Sequence, residues 1–151
     1  MRDAPGVIAP PPLIYLSALA VGFGLEALLP SASLPDALRW LGGVLVLGGL
    51  TLMGSFVSSF RRANTAVDPG KPTTAIVTSG PYRLTRNPGY LGMALVYTGI
   101  ALLAGALWTL VALLPALAVI DRAVIAREER YLEAKFGQDY LAYKARVRRW
   151  L

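Results

Sequence analysis

Cysteine and histidine are both absent from these 151 residues. Their absence excludes disulfides, thiolate nucleophiles, an imidazole base and the commonest metal ligands. No metal is expected, and any chemistry falls to Glu, Asp, Tyr, Arg, Lys or a bound cofactor. Charge is scarce as well: 16% of residues are charged and 55% hydrophobic, whereas a soluble domain carries about 25% charged residues. The charges also avoid whole regions instead of alternating with apolar positions. That pattern implies an all-α integral membrane protein. By length it is a single domain, 1–151.

What charge there is has a sign. The net charge is +6, which in a soluble chain would suggest nucleic acid. Here the basic residues flank apolar runs, where cytoplasmic Lys and Arg gather. The bilayer is the expected partner, and nucleic acid is not.

Four spans are expected. Residues 13–29 are apolar except for Glu26 and are followed by a Pro-rich break. Residues 40–60 are 21 positions without a charge, enough to cross a core of about 30 Å. Their Gly42-Gly43 and Gly48-Gly49 pairs would let a neighbouring helix approach closely. Residues 90–120 are 31 charge-free positions, too long for one ordinary span. Ala104-Gly105-Ala106 in the middle offers a tight turn, so a helical hairpin of 90–104 and 106–121 is expected. No cleavable signal is evident, because Pro10-Pro11-Pro12 suits the apolar core of a signal peptide poorly.

Two polar segments remain. The 61–88 loop carries five Lys or Arg, with a turn expected at Asp68-Pro69-Gly70-Lys71-Pro72, and the tail from Asp121 onward carries eight. Four spans put both on one side, which the positive-inside rule names the cytoplasm, with both termini there. The tail, 122–151, reads as helix, break at Phe136-Gly137, helix. Its basic, partly apolar end lies on an anionic membrane surface or covers a site beneath it.

Chemistry-bearing residues concentrate in these two segments. In Arg86-Asn87-Pro88-Gly89-Tyr90 the chain turns and then starts a helix, whose open N–H groups attract polar or anionic ligand groups. Tyr82 and Tyr90 could stack on a planar ring or belong to an interfacial aromatic belt. In Arg127-Glu128-Glu129-Arg130 the two carboxylates diverge by about 100° on a helix. One can face a ligand while the other pairs with a basic neighbour, or the cluster can be a solvated one. Glu26, inside the first span, is a candidate by location alone, although Pro30 places it near an interface.

Taken together, Val77-Thr78-Ser79-Gly80-Pro81-Tyr82, Arg86 to Tyr90, Glu128-Glu129 and Phe136-Gly137-Gln138-Asp139-Tyr140-Leu141-Ala142-Tyr143 resemble the isoprenylcysteine carboxyl methyltransferase family, which is akin to the small membrane phospholipid methyltransferases. The match covers roughly 74–151. The resemblance implies an integral membrane methyltransferase of a bacterial or archaeal cell membrane. Its cofactor would be S-adenosyl-L-methionine, held on the cytoplasmic side, and its acceptor lipophilic: an isoprenoid or prenyl carboxylate, or a phospholipid head group. Carried over by position, cofactor contacts fall on Thr74, Ala75, Ile76, Val77, Tyr82, Asn87, Pro88, Gly89, Tyr90 and Glu128, with Glu128 taking the polar end. Tyr90, Glu129 and Arg127 are the catalytic candidates. The prenylcysteine enzymes carry His where this chain has Asn87. They also carry, four residues before the matching Glu, an acceptor-linked Arg where this chain has Val124. The resemblance therefore carries the cofactor further than the acceptor.

Methyl transfer from a sulfonium is an in-line displacement that destroys a positive charge, so a water-poor pocket and good alignment favour it. A carboxylate acceptor needs no base; an amine needs Glu128, Glu129 or Tyr90 to take its proton. Two rival classes remain. A small four-helix transporter would centre on Glu26 but leaves the charged tail unexplained. A non-catalytic membrane subunit would keep the fold and transfer no methyl group.

Overall fold

The computed structural model describes residues 9–29, 31–67 and 73–151. The N-terminal segment, Pro30 and the expected turn at 68–72 lie outside the described residues. Within them the chain is helical, with no strand. Helix α1 (Pro11–Leu28) starts on prolines at its first positions, where a missing N–H is harmless and the fixed φ suits a helix. Helix α2 (Asp36–Arg62) follows Pro35 and runs 27 residues. Asp36 in its first turn and Arg61 and Arg62 in its last complement the helix dipole. Helix α3 (Pro88–Ala104) again begins on proline.

Gly105 ends α3 in the left-handed region, with φ 69°. The Ala106 N–H reaches back to the Ala101 carbonyl (2.9 Å) and the Gly105 N–H to that of Leu102 (3.1 Å), the Schellman arrangement that a glycine makes accessible. Helix α4 (Leu107–Val119) then returns. It does not stop where the charges begin. A π-helical stretch at Ile120–Ile125 leads straight into α5 (Ala126–Phe136), so the polar tail starts as a continuation of the apolar helix. Gly137, with φ 53°, separates α5 from α6 (Gln138–Arg146).

Three helices are long and apolar enough to cross a membrane: Pro11–Leu28, Asp36–Arg62 and the continuous Leu107–Phe136. The remaining apolar helix, α3, is shorter, at 17 residues. The charge-free part of the third ends at Ile120; α5, with its Arg, Glu and Lys side chains, lies beyond it.

Helices α2 and α3 pack antiparallel through glycines. A Cβ at Gly42 would sit 2.8 Å from the Gly99 carbonyl oxygen, and one at Gly49 would sit 2.6 Å from that of Gly92. Such stripes bring backbones into dispersion contact where water supplies no drive between helices. Gly43 and Gly48 meet nothing within 4 Å. Of each pair expected to admit a neighbour, one glycine is used, because seven residues are close to two helical turns. The opposite face of α2 presents Trp40, Val44, Leu47 and Leu50 outward, Trp40 81% exposed. Helix α1 packs on α4, where Gly22 abuts the Thr109 backbone. Two phenols tie the layers: Tyr97 donates to the Thr109 carbonyl (2.8 Å) and Tyr15 to that of Tyr90 (3.1 Å).

The bundle thus has two distinct ends. Glu26, Arg39, Gly105 and Trp108 gather at one, where Arg39 approaches Gly105 and Glu26 accepts from the Trp108 N–H (3.1 Å). The N-terminus of α1, the C-terminus of α2, the start of α3 and α5 gather at the other.

Candidate active site

At this second end a cavity of about 280 Å³ opens, close to the lower bound of small-ligand pockets. Met53, Phe56 and Phe60 of α2 form one wall. Ala75, Ile76, Val77 and Tyr82 of the connection form another, and Gly89, Tyr90 and Met93 at the start of α3 form a third. Glu128, Glu129 and Leu132 of α5, with Tyr140 and Tyr143 of α6, close it.

Local chemistry explains each wall. Gly80, with φ 61°, opens the 3₁₀ turn Gly80–Arg83, and a side chain there would strike the Ser59 hydroxyl. The turn delivers Tyr82 against Phe56 and Phe60, with ring centroids 6.3 and 5.8 Å away. Tyr143 locks it by donating to the Tyr82 carbonyl (2.8 Å). Gly89 allows the Phe56 ring to lie against α3, 3.2 Å from where a Cβ would stand.

The adjacent glutamates take different environments. Glu128 accepts a 2.5 Å hydrogen bond from the Tyr90 hydroxyl. Burial pushes its carboxyl up to about 7; the Glu129 charge adds to this and the Tyr90 hydrogen bond opposes it. Glu129, 5% exposed, is held by the Arg149 guanidinium through two bonds of 2.6 and 3.1 Å. Arg86 lies 3.2 Å from it and Lys144 3.8 Å. Lys144 also pairs with Glu133, and Arg149 with Asp121. Burial likewise pushes the Tyr82, Tyr140 and Tyr143 phenols up, Tyr140 to about 12, so all three stay neutral near pH 7.

The C-terminal segment is folded back over this end. The Arg86 N–H donates to the Arg148 carbonyl (2.9 Å). The Arg149 carbonyl accepts from the Thr85 hydroxyl (3.0 Å) and the Asn87 amide (2.8 Å). Trp150 donates to Asp121 (2.9 Å) and packs on the core.

Ala75, Ile76, Val77, Tyr82, Asn87, Gly89, Tyr90, Glu128 and Glu129 therefore share one cavity. Thr74, Pro88 and Arg127 do not line it. Thr74 instead ties the connection to the end of α2: its N–H donates to Thr65 and its hydroxyl to the Asn64 carbonyl. Pro88 is buried beneath. Met53, Phe56 and Phe60 carry no sequence signal for this place, because apolar residues facing a cavity and facing lipid look alike in sequence. Arg86, Tyr140 and Tyr143 stand inside the motifs, and the structure places all three along the cavity. The three-residue spacing of Tyr140 and Tyr143 signals a shared helix face. Among the described residues no cluster of His, Cys, Asp or Glu could hold a metal ion.

An apolar helical bundle with an aromatic-walled cavity at one end fits a small integral membrane protein. Sequence comparison supplies the family. The phospholipid methyltransferase family profile matches residues 37–139, more than half of the chain, and the protein belongs to that family. An uncharacterized protein of Haemophilus influenzae is 64% identical over 33 residues, covering 22% of this chain and 52% of that protein. The chain thus spans about half the length of this curated relative. No solved structure matches.

Proposed function

We propose that the protein transfers a methyl group from S-adenosyl-L-methionine to a lipophilic acceptor at the cytoplasmic face of the membrane. Helix α3 acts as the fourth span in this reading, and the basic 61–88 and 122–151 segments mark the inner side. The observation that carries the proposal is the Tyr90–Glu128 pair, part-buried at the meeting point of α3 and α5 inside the aromatic cavity. The donor set fits such a cofactor: apolar and aromatic walls for a nucleoside, and a carboxylate for a cationic group. When bound, S-adenosyl-L-methionine supplies an electrophilic methyl group on a sulfonium.

The chain's own residues supply the rest. Phe56, Phe60 and Tyr82 keep water from the site, which favours loss of charge in the transition state. Tyr90 orients Glu128 toward the cofactor's polar end. Glu129 and Arg149 position the C-terminal cover, so Glu129 acts through the strap and not on the reacting atoms. Arg127, outside the cavity lining, receives no role in the reaction. Ala75, Ile76, Val77, Asn87 and Gly89 shape the cofactor wall, and Thr74 and Pro88 support it from behind. Val124, fully buried, offers no charge to a prenylcysteine carboxylate. Together with the family match, this favours a phospholipid head group as acceptor.

The transporter reading loses its central residue. Glu26 is engaged by Ser31 and the Trp108 N–H at the opposite end of the bundle. The test is calorimetry with S-adenosylmethionine and S-adenosylhomocysteine on the detergent-purified protein, followed by transfer of an isotopic methyl group to native lipid extract. Binding and a labelled lipid are expected. Absence of both heat and thermal shift would sink the proposal, and binding without any labelled product would favour a non-catalytic subunit.

A further inference from the structure

Helix α2 packs mainly on α3 and α1 mainly on α4, and the cavity reaches the sides of both outer helices. Pro11 and Pro12 of α1 and Met53 and Val57 of α2 line it together with Tyr90 and Met93 of α3. Pro12 is exposed, so the cavity meets the surface on this side. Met53 and Val57 also line a second, open groove, with Gly54, Ser58, Arg61 and Arg62. The two hollows share one wall.

The groove residues recur every three or four positions and form one stripe of α2. Toward the far end the stripe continues through Thr51 and Leu47 to Val44 and Trp40, all exposed. Its chemistry is graded along the helix: apolar from Trp40 to Leu47, small or polar at Thr51, Gly54 and Ser58, cationic at Arg61 and Arg62. A Cβ at Gly54 meets nothing, which leaves a trough in the middle. Arg62 folds back by one turn and donates to the Ser58 hydroxyl (3.0 Å), laying its guanidinium along the groove. Among the described residues neither Arg61 nor Arg62 forms an ion pair. A span anchor needs cationic side chains at the helix end; it does not need them beside a groove that backs onto the cavity.

We propose that this groove docks the phospholipid acceptor. Arg61 and Arg62 hold its phosphate, its acyl chains lie along the apolar part of the stripe, and its head group reaches past Val57 into the cavity. This role rests on the methyl-transfer reading. A phospholipid has the same order of charge and apolar length as the stripe, and paired guanidinium groups suit a phosphate. A second copy of the chain in the same membrane orientation would set these arginines against their own equivalents, which like-charge repulsion opposes.

The experiment is calorimetry on the full chain in detergent, with short-chain phosphatidylethanolamine, the matching diacylglycerol and free phosphoethanolamine as probes. Arg61→Gln with Arg62→Gln removes the phosphate seat. Arg83→Gln with Arg130→Gln removes equal charge from exposed arginines at the same end. The first pair is expected to lose about tenfold or more in phosphatidylethanolamine affinity, with diacylglycerol and S-adenosylhomocysteine affinities unchanged. The second pair is expected to leave all three unchanged. With native lipid extract, the first pair raises the acceptor KM and keeps kcat, as loss of a docking contact should. Equal weakening for both lipids, the same loss in both double variants, or no lipid binding by the wild type overturns the assignment and leaves Arg61 and Arg62 as span anchors. Free phosphoethanolamine bound as tightly as the lipid overturns it too, because the apolar stripe then takes no part. A dimer that dissociates in the first variant, in step with the lost lipid binding, would assign the face to a second copy instead. Absence of S-adenosylhomocysteine binding in the wild type is a separate result: it removes the methyl-donor reading, and the lipid comparison still decides whether the groove takes phospholipid.

Discussion

At the far end of the bundle, Glu26 gives one oxygen to the Ser31 N–H and hydroxyl and the other to the Trp108 N–H. At the site end, Glu128 takes one phenolic hydrogen bond from Tyr90 and faces a cavity. Glu26 belongs to a largely apolar helix and qualifies from sequence by its location, whereas Glu128 stands in the charged α5 and qualifies by its motif. The difference lies in what is left over. The first turn of α4 has no side-chain cap of its own, and Glu26 reaches across to supply one, completing a local hydrogen-bond account. Glu128 is held in place by Tyr90 but is still turned to the cavity. A closed account marks a structural group and an open one marks a group waiting for a ligand.

The largest expected effect separates the two directly. Glu128→Ala lowers S-adenosylhomocysteine affinity by about a hundredfold, the scale of losing charge-assisted hydrogen bonds in a buried site. Glu26→Ala leaves that affinity unchanged and lowers the melting temperature, as loss of a helix cap should. Calorimetry and thermal unfolding on the same preparations read both; a loss of ligand affinity in the Glu26 variant would break the comparison.

Next in size is packing toward the far end. Gly42→Leu forces a side chain onto the Gly99 backbone and costs about 3 kcal/mol or more. The same change at Gly43, which meets nothing, is silent. Detergent-resistance or unfolding assays distinguish them, and the surviving folded fraction of the Gly42 variant should bind ligand normally.

Arg149→Ala sharpens the site end by releasing the cover. Removing a cation from a buried carboxylate is costly. Arg149 is itself about one-third exposed and Glu129 keeps Arg86 and Lys144, so the expected loss is about 1–2 kcal/mol. Faster proteolysis after Phe136 and weaker nucleoside binding should accompany it. Unchanged proteolysis would show that the strap is held by Trp150 and the backbone bonds alone.

The smallest effect is a pH dependence. Glu128 has its folded pKa raised to about 7 from 4.5, so the folded state holds the proton more tightly than the unfolded one. Stability therefore falls as pH rises between these values and stays lower above 7. Cofactor affinity should run the other way, rising through pH 7 as the carboxylate forms. Glu128→Gln flattens the binding profile and melts a few degrees higher than wild type at pH 8, an advantage that shrinks toward pH 5. A Gln variant less stable at pH 8 would show that Glu128 is not a desolvated charge.

Much of this was legible in the sequence because the bilayer is a severe solvent. Backbone groups must be satisfied internally, so charge-free runs read as helices, and Gly105 and Gly137 stand where those helices end. The motif glutamates were found as well, but their division was not. A 100° rotation predicts that Glu128 and Glu129 diverge without saying which one meets Tyr90. Glycine pairs likewise announce an approach without saying which member faces it.

The sequence by itself determined a helical, membrane-type chain and the two polar segments that carry its chemistry. Local hydropathy, proline and glycine signals act over a few residues and need no partner. Tertiary structure alone decided that Glu129 meets Arg86 and Arg149, that Phe56 and Phe60 line a cavity, and that Glu26 caps a helix 82 residues away. Each of these depends on which groups remain unpaired once distant segments are packed together, a quantity that no single stretch of chain contains.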